Sequence, residues 1–192
     1  MLIALDPGHG GRDSGCRYGP LVESAWTMRV AELLAARLRA AGLDVLLTRA
    51  AGEGVSLWRR GWRTRACQAV VSLHVNANPH PELGGLEVYS RDQLPDLALA
   101  AQIATRCPAS LLRPRREAAP VWSTRDDPAT TRDDWLQRPA AVLRWHGAPA
   151  VLVECGYATH DADRKYLLRD DGAAAVVAAI AAGVTAWAAG RA

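Results

Sequence analysis

The 192-residue chain predicts an α/β fold: a single domain with a mostly parallel, twisted sheet and helices on both faces. Three observations carry this. Short apolar runs of strand length alternate with segments of helical periodicity, which is the pattern of βαβ units. The strand runs are nearly continuously apolar rather than alternating, as expected where a sheet is covered on both sides. No internal repeat, low-complexity tract or linker divides the chain, and its length suits one well-buried domain spanning residues 1–192.

The elements follow in order. Leu2 to Leu5 is an apolar run ended by Asp6-Pro7-Gly8, a buried strand with a turn behind it. The glycine-rich stretch from Gly8 to Gly19 reads as loop. From Ser24 to Ala41, Trp26, Val30, Leu33, Leu34 and Leu38 recur at helical spacing, and Gly42 is a stop signal. Leu43 to Thr48 is the second strand. Leu57 to Cys67 is rich in arginine, with Trp58 and Trp62 four residues apart, and predicts an exposed helix. Ala69 to Val75 is the third strand, and it runs directly into His74-Val75-Asn76. Gly84-Gly85 introduces a short strand, Leu86 to Ser90, and Leu97 to Thr105 is helical. Pro108 to Pro139 lacks periodicity and reads as a long loop or irregular insertion. Pro149 to Cys155 is a clear buried strand. In the last helix Val177, Ile180, Val184 and Trp187 step by three and four residues, with Asp170 or Asp171 available as a cap.

Composition excludes several classes. Hydrophobic residues make up 49% and charged residues 22% of the chain, which is globular rather than disordered. The net charge of +3 is mild, Lys165 is the single lysine, and the arginine clusters are short, so a nucleic-acid role is unsupported. Cys16, Cys67, Cys107 and Cys155 are widely spaced without a C-x-x-C pair, which argues for packed thiols; a Cys67–Cys107 disulfide stays open. The N-terminus has neither the basic region nor the apolar stretch of a signal peptide, and no segment is expected to span a membrane.

In open α/β sheets reactive groups collect beyond the C-terminal ends of the strands. His9 follows the first strand, His74 closes the third, and Glu154 lies near the end of the Pro149–Cys155 run. Glu23 stands at the loop-to-helix junction on the same side. Two histidines and a carboxylate form a set that zinc favours in hydrolases, with a fourth position left for water. Each has an ordinary explanation too. His9 fits a turn, His74 a satisfied core position, and Glu23 a first-turn helix carboxylate. Glu154 is harder to explain away, because a carboxylate between Val153 and Cys155 in a buried strand is costly unless paired or used. Of the remaining histidines, His80 lies between prolines in a surface loop, His146 precedes a glycine and reads as a turn, and His160 is close enough in sequence to Glu154 to approach the site.

Taken together, these segments resemble the type 3 family of zinc-dependent N-acetylmuramoyl-L-alanine amidases. The resemblance is carried by Leu5-Asp6-Pro7-Gly8-His9-Gly10-Gly11, by Glu23, by Leu47-Thr48-Arg49, and by Leu57 and Arg60. It continues through Ser72-Leu73-His74-Val75-Asn76-Ala77, Gly84-Gly85-Leu86-Glu87-Val88-Tyr89 and Pro149-Ala150-Val151-Leu152-Val153-Glu154-Cys155-Gly156-Tyr157. These blocks stand in the family's order over nearly the whole chain.

The resemblance implies Zn2+ held by His9, Glu23 and His74, with Glu154 as the catalytic carboxylate. It implies hydrolysis of the amide between the lactyl group of N-acetylmuramic acid and L-alanine in peptidoglycan. Asp6 and Asn76 are candidates for orienting the ligands from behind, and turn formation explains them equally well. Two alternatives compete: a zinc peptidase acting within the stem peptide, and an inactive amidase-like module that binds cell wall. The expected place of action is the cell wall. Two routes there stay open, a phage endolysin released through a membrane pore or a catalytic domain of a longer exported protein.

Overall fold

In the computed structural model the protein is described over residues 1–112, 121–123 and 139–191. The central sheet takes its strands in the order β4-β1-β5-β8-β6-β7. These are β1 (Leu2–Pro7), β4 (Asp44–Leu47), β5 (Ala69–Asn76), β6 (Glu87–Ser90), β7 (Val121–Ser123) and β8 (Ala150–Tyr157). All neighbouring pairs are parallel except β6 with β8. A small ribbon of β2 (Arg17–Tyr18) and β3 (Leu21–Val22) interrupts the glycine-rich loop. The helices are α1 (Glu23–Ala40), α2 (Leu57–Arg63), α3 (Leu94–Ala104), α4 (Asp161–Leu168) and α5 (Asp170–Ala189).

The sheet's two faces are covered unequally, and strand alternation decides which residue meets which side. Ile3, Leu5, Val71, Leu73, Val151 and Val153 point into the large core with Val30 and Leu34 of α1, Leu99 and Ile103 of α3 and Ile180 and Val184 of α5. On the opposite face Ala4, Val70 and Leu152 form a smaller cluster with Val142 and Leu143 from a 3-10 turn at Pro139–Trp145. Two residues further along each strand, that second face carries Asp6, Ser72 and Glu154, with His74 in register beside Glu154. Among the described residues this second layer is thin, and the polar groups stand beyond it at the strand ends.

Several expectations are corrected. The segment 108–139 carries a 3-10 turn at Ala109–Leu111 and the edge strand β7, parallel to β6. A three-residue strand is too short to show periodicity; residues 113–120 and 124–138 lie outside the described residues. Helix α4 follows directly on the Thr-His-Asp loop, with His160 as its N-cap accepting from the Asp163 N–H. Neither Asp170 nor Asp171 caps α5: Arg169 occupies that position and the two carboxylates sit in the first turn. With 20 residues, α5 is long and apolar enough to cross a membrane by length and composition alone. Its apolar face is the centre of the core, packed on α1 and α3. All four cysteines are thiols.

Candidate metal centre

The site begins with the loop after β1. His9 has φ 59°, a left-handed conformation unusual for a residue with a side chain. Two buried arginines hold it there. Arg49 donates to the carbonyls of Pro7 at 2.9 Å and Gly8 at 3.1 Å. Arg60 donates to the carbonyls of Pro7 at 2.7 Å and His9 at 2.6 Å. Three successive carbonyls are thereby fixed, which holds the turn that carries the His9 ring. Arg60 is itself neutralised by Asp6 at 2.7 Å. Asp6 also accepts from Ser72 at 2.9 Å and from Thr48. Burial works against the charge of Asp6, but Arg60 and the Thr48 hydroxyl hold its carboxyl below the usual range. Asp6 thus acts on the site through Arg60 and the loop backbone.

His9, Glu23 and His74 converge. The Glu23 Oε1 atom lies 3.1 Å from His9 Nε2 and 3.0 Å from His74 Nδ1, and one ligand atom from each residue lies within 4.8 Å of the others. Glu23 is the first residue of α1, yet its side chain turns inward. Its two oxygens accept from the backbone N–H groups of Val75 at 3.1 Å and Cys16 at 2.9 Å. Burial opposes its charge, but the hydrogen bonds and charges of His74 and His9 outweigh burial and hold the Glu23 carboxyl well below its ordinary value. Conversely, Glu23 and Asp13 raise the pKa of His9 against the effect of burial. A carboxylate oxygen wedged between two imidazole nitrogens marks where a cation can replace shared protons, so this donor set fits zinc.

Two glycines are required by this crowding. A Cβ on Gly8 would lie 2.4 Å from His74 Cε1, and one on Gly15, at φ 63°, would lie 2.5 Å from Glu23 Oε2. Asp13, which the sequence pattern did not single out, accepts from His9 Nδ1 at 2.8 Å and from the Gly15 N–H at 3.0 Å. An acidic residue four positions after a histidine in a glycine-rich turn was the available signal. Imidazole ligands are ordinarily oriented by such a carboxylate.

Glu154 stands on β8 directly across from His74 on β5. It is 4% exposed, and its Oε2 has no hydrogen-bond partner among the described residues. Burial first, then the charges of Glu23 and Glu87, push its carboxyl well above the ordinary range. The four residues line one cavity of about 560 Å³, together with Leu57 and Val142. Cys16 also lines it, and burial together with Glu23 pushes its thiol pKa up, away from reactivity.

Asn76 lines the same cavity, and its amide donates to Glu87 at 3.4 Å rather than to a proposed ligand. His160 is occupied at the start of α4 by Asp163, 2.9 Å away. His146 is buried, with Nδ1 2.7 Å from the Thr64 hydroxyl. His80 is exposed in its loop, 3.4 Å from Glu82.

An open, mostly parallel sheet with two histidines and a glutamate converging at its strand ends, and a buried carboxylate beside them, defines a metallohydrolase-like centre. The sequence profile of the N-acetylmuramoyl-L-alanine amidase family matches residues 3–186, and the chain belongs to that family. It is 29% identical over 171 residues to N-acetylmuramoyl-L-alanine amidase LytC of Bacillus subtilis, covering 86% of this chain but 31% of LytC. Among solved structures it is similar to the amidase AmiC2 of Nostoc punctiforme, at 30% identity and a TM-score of 0.80 over 98% of this chain and 97% of that one. An amidase from Clostridium difficile 630 shares the fold, with a TM-score of 0.82 at 23% identity over 100% and 98% of the two chains. The chain thus spans well under two thirds of the length of LytC.

Proposed function

We propose that this chain hydrolyses the amide bond between the lactyl carboxyl of N-acetylmuramic acid and L-alanine in peptidoglycan, as one catalytic unit acting at the cell wall. The observation that carries the reading is the meeting of His9, Glu23 and His74 within 4.8 Å, with Glu154 in register beside His74. His9, Glu23 and His74 would hold zinc, which when bound supplies Lewis acidity that brings the pKa of a water to about 7.

The protein's residues do the rest. Glu154 takes a proton from the attacking water and passes it to the departing alanine nitrogen, the sequential work of a general base and acid. A buried carboxyl with its proton affinity raised suits both halves of that exchange. The Asp13 carboxylate keeps His9 in one orientation, and Arg49 and Arg60 keep the loop from relaxing. The cavity leaves room for a substrate above these groups. Family membership supports the choice of bond.

The test is digestion of purified peptidoglycan with and without a chelator, followed by mass analysis. Chelator-sensitive release of intact stem peptides with a free L-alanine amine is the expected result. Fragments cut within the stem peptide would instead identify a peptidase.

A further inference from the structure

The proposed reaction gives its substrate a direction across the sheet, and the inference here rests on that reading. At the C-terminal end of β1, β5 and β8 the side chains run in the order His9 in the loop after β1, His74 on β5, Glu154 on β8 and Glu87 on β6. His74 is in register with Glu154, and Glu154 with Glu87, so the last three share one face. The scissile carbonyl belongs at the His9–Glu23–His74 end. The leaving nitrogen belongs within reach of the buried, unpartnered Oε2 of Glu154. The peptide bonded to that nitrogen therefore continues toward β6.

Glu87 waits there, half-buried. Its Oε2 receives the hydroxyls of Tyr157 at 3.0 Å and Tyr89 at 3.1 Å, and the Asn76 amide at 3.4 Å. Its Oε1 has no donor among the described residues. Three donors on one oxygen fix the carboxylate's orientation and leave the other oxygen free to accept. A structural carboxylate would not need two buried or half-buried tyrosines to aim it beside a second carboxylate.

We propose that Glu87 is the peptide-side binding residue, whose open oxygen accepts from the alanine nitrogen and then holds the ammonium that cleavage creates. The balance is simple. A C–O bond forms from water as the C–N bond breaks, and Glu154 returns water's proton to nitrogen. The proton released when the new muramyl carboxyl ionises converts the amine to an ammonium ion.

Calorimetric titration of the zinc-loaded protein with L-alanyl-D-isoglutamine and with its N-acetyl form tests this. The two probes differ in the amine alone. A charge-assisted hydrogen bond makes the free amine bind about tenfold or more tightly. In Glu87→Gln that preference vanishes while zinc content stays unchanged. Tyr89→Phe leaves the carboxylate but loosens it, so the preference falls without disappearing, which keeps the test available should Glu87→Gln fold poorly. Equal binding of both probes by a wild type that digests peptidoglycan overturns the role of Glu87 alone. Loss of zinc in Glu87→Gln would also overturn it, by making Glu87 part of the metal site. A wild type that releases no stem peptide overturns the reaction itself and this proposal with it.

Discussion

Gly8→Ala probes the metal centre without replacing any proposed ligand. The added Cβ would lie 2.4 Å from His74 Cε1 and 2.7 Å from both ring nitrogens, where ordinary contact begins near 3.4 Å. The backbone carrying Gly8 cannot give way easily. Its carbonyl is held by Arg49 at 3.1 Å and Thr27 at 3.1 Å, and its N–H by the Leu73 carbonyl at 2.9 Å. The ring must therefore retreat by about 1 Å, roughly twice the ~0.5 Å tolerance of a functional site. Zinc affinity is expected to fall about 10–100-fold, the range seen when a ligand's support is disturbed. The strain should also cost about 1–3 kcal/mol of stability. Competition with a chromophoric chelator reads the first quantity and thermal melting the second. Gly147→Ala is the control, because its Cβ would meet nothing within 4 Å, and a change within about 0.5 kcal/mol is expected. Wild-type zinc affinity in Gly8→Ala would refute the claim that the crowded glycine turn positions His74.

Glu154→Gln should retain zinc, by metal analysis, yet lose about 10²–10⁴ in wall-digestion rate, the usual contribution of a general acid–base group; an active variant would sink the role. The same substitution should raise the melting temperature of the metal-free protein at neutral pH. The carboxyl's folded pKa is raised, so its contribution is fully present below about 4.3 and is lost as pH rises through the folded value. Asp6→Asn should cost about 3–5 kcal/mol by leaving Arg60 buried without its counter-charge, measurable by denaturant titration. Asp6 has a depressed folded pKa, so its stabilisation is present above about 3.9 and disappears as pH falls through that lower value. Asp13→Ala should weaken zinc binding about 10–100-fold by freeing the His9 ring, and unchanged binding in a chelator competition would remove Asp13 from the centre.

The central strands were legible because β1, β5 and β8 are runs of mostly buried residues, and these three fell within a residue or two of their expected limits. Of the candidate residues Glu154 stood out for the same reason, since a carboxylate inside such a buried run is costly unless paired or used. His9, Glu23 and His74 each had an ordinary explanation until the family resemblance joined them. What escaped was set by tertiary contact. The Leu57–Cys67 segment reads as an exposed arginine-rich helix, and Trp58 and Trp62 are indeed exposed, but Arg60 is 4% exposed. Nothing in periodicity distinguishes an arginine that solvates a surface from one that reaches under it to three backbone carbonyls. His146 looks like a turn residue beside Gly147, yet it is buried and meets Thr64, the residue that caps the end of α2. Glu87 reads as one polar position in a short strand until the antiparallel register of β6 brings it opposite Glu154.

Of the carboxylates that line the cavity, Glu23 and Glu154 are pushed apart by their surroundings. For Glu23 burial is outweighed by the facing imidazoles, which favour the charged form. For Glu154 burial has no such opposition, and the neighbouring charges of Glu23 and Glu87 add to it. A group held anionic is suited to bind a cation, and one with raised proton affinity is suited to carry a proton; such divergence separates acid–base roles in hydrolytic sites generally. The assignment of Glu23 as ligand and Glu154 as base therefore has an electrostatic argument independent of family membership. It also orders the experiments. Occupying the centre with zinc places a divalent charge beside both carboxylates, so the neutral-pH stability penalty of Glu154 should shrink on metal loading. A Glu154→Gln stability gain that persists undiminished with zinc bound would mean that the metal sits too far from Glu154 for the two to share a substrate.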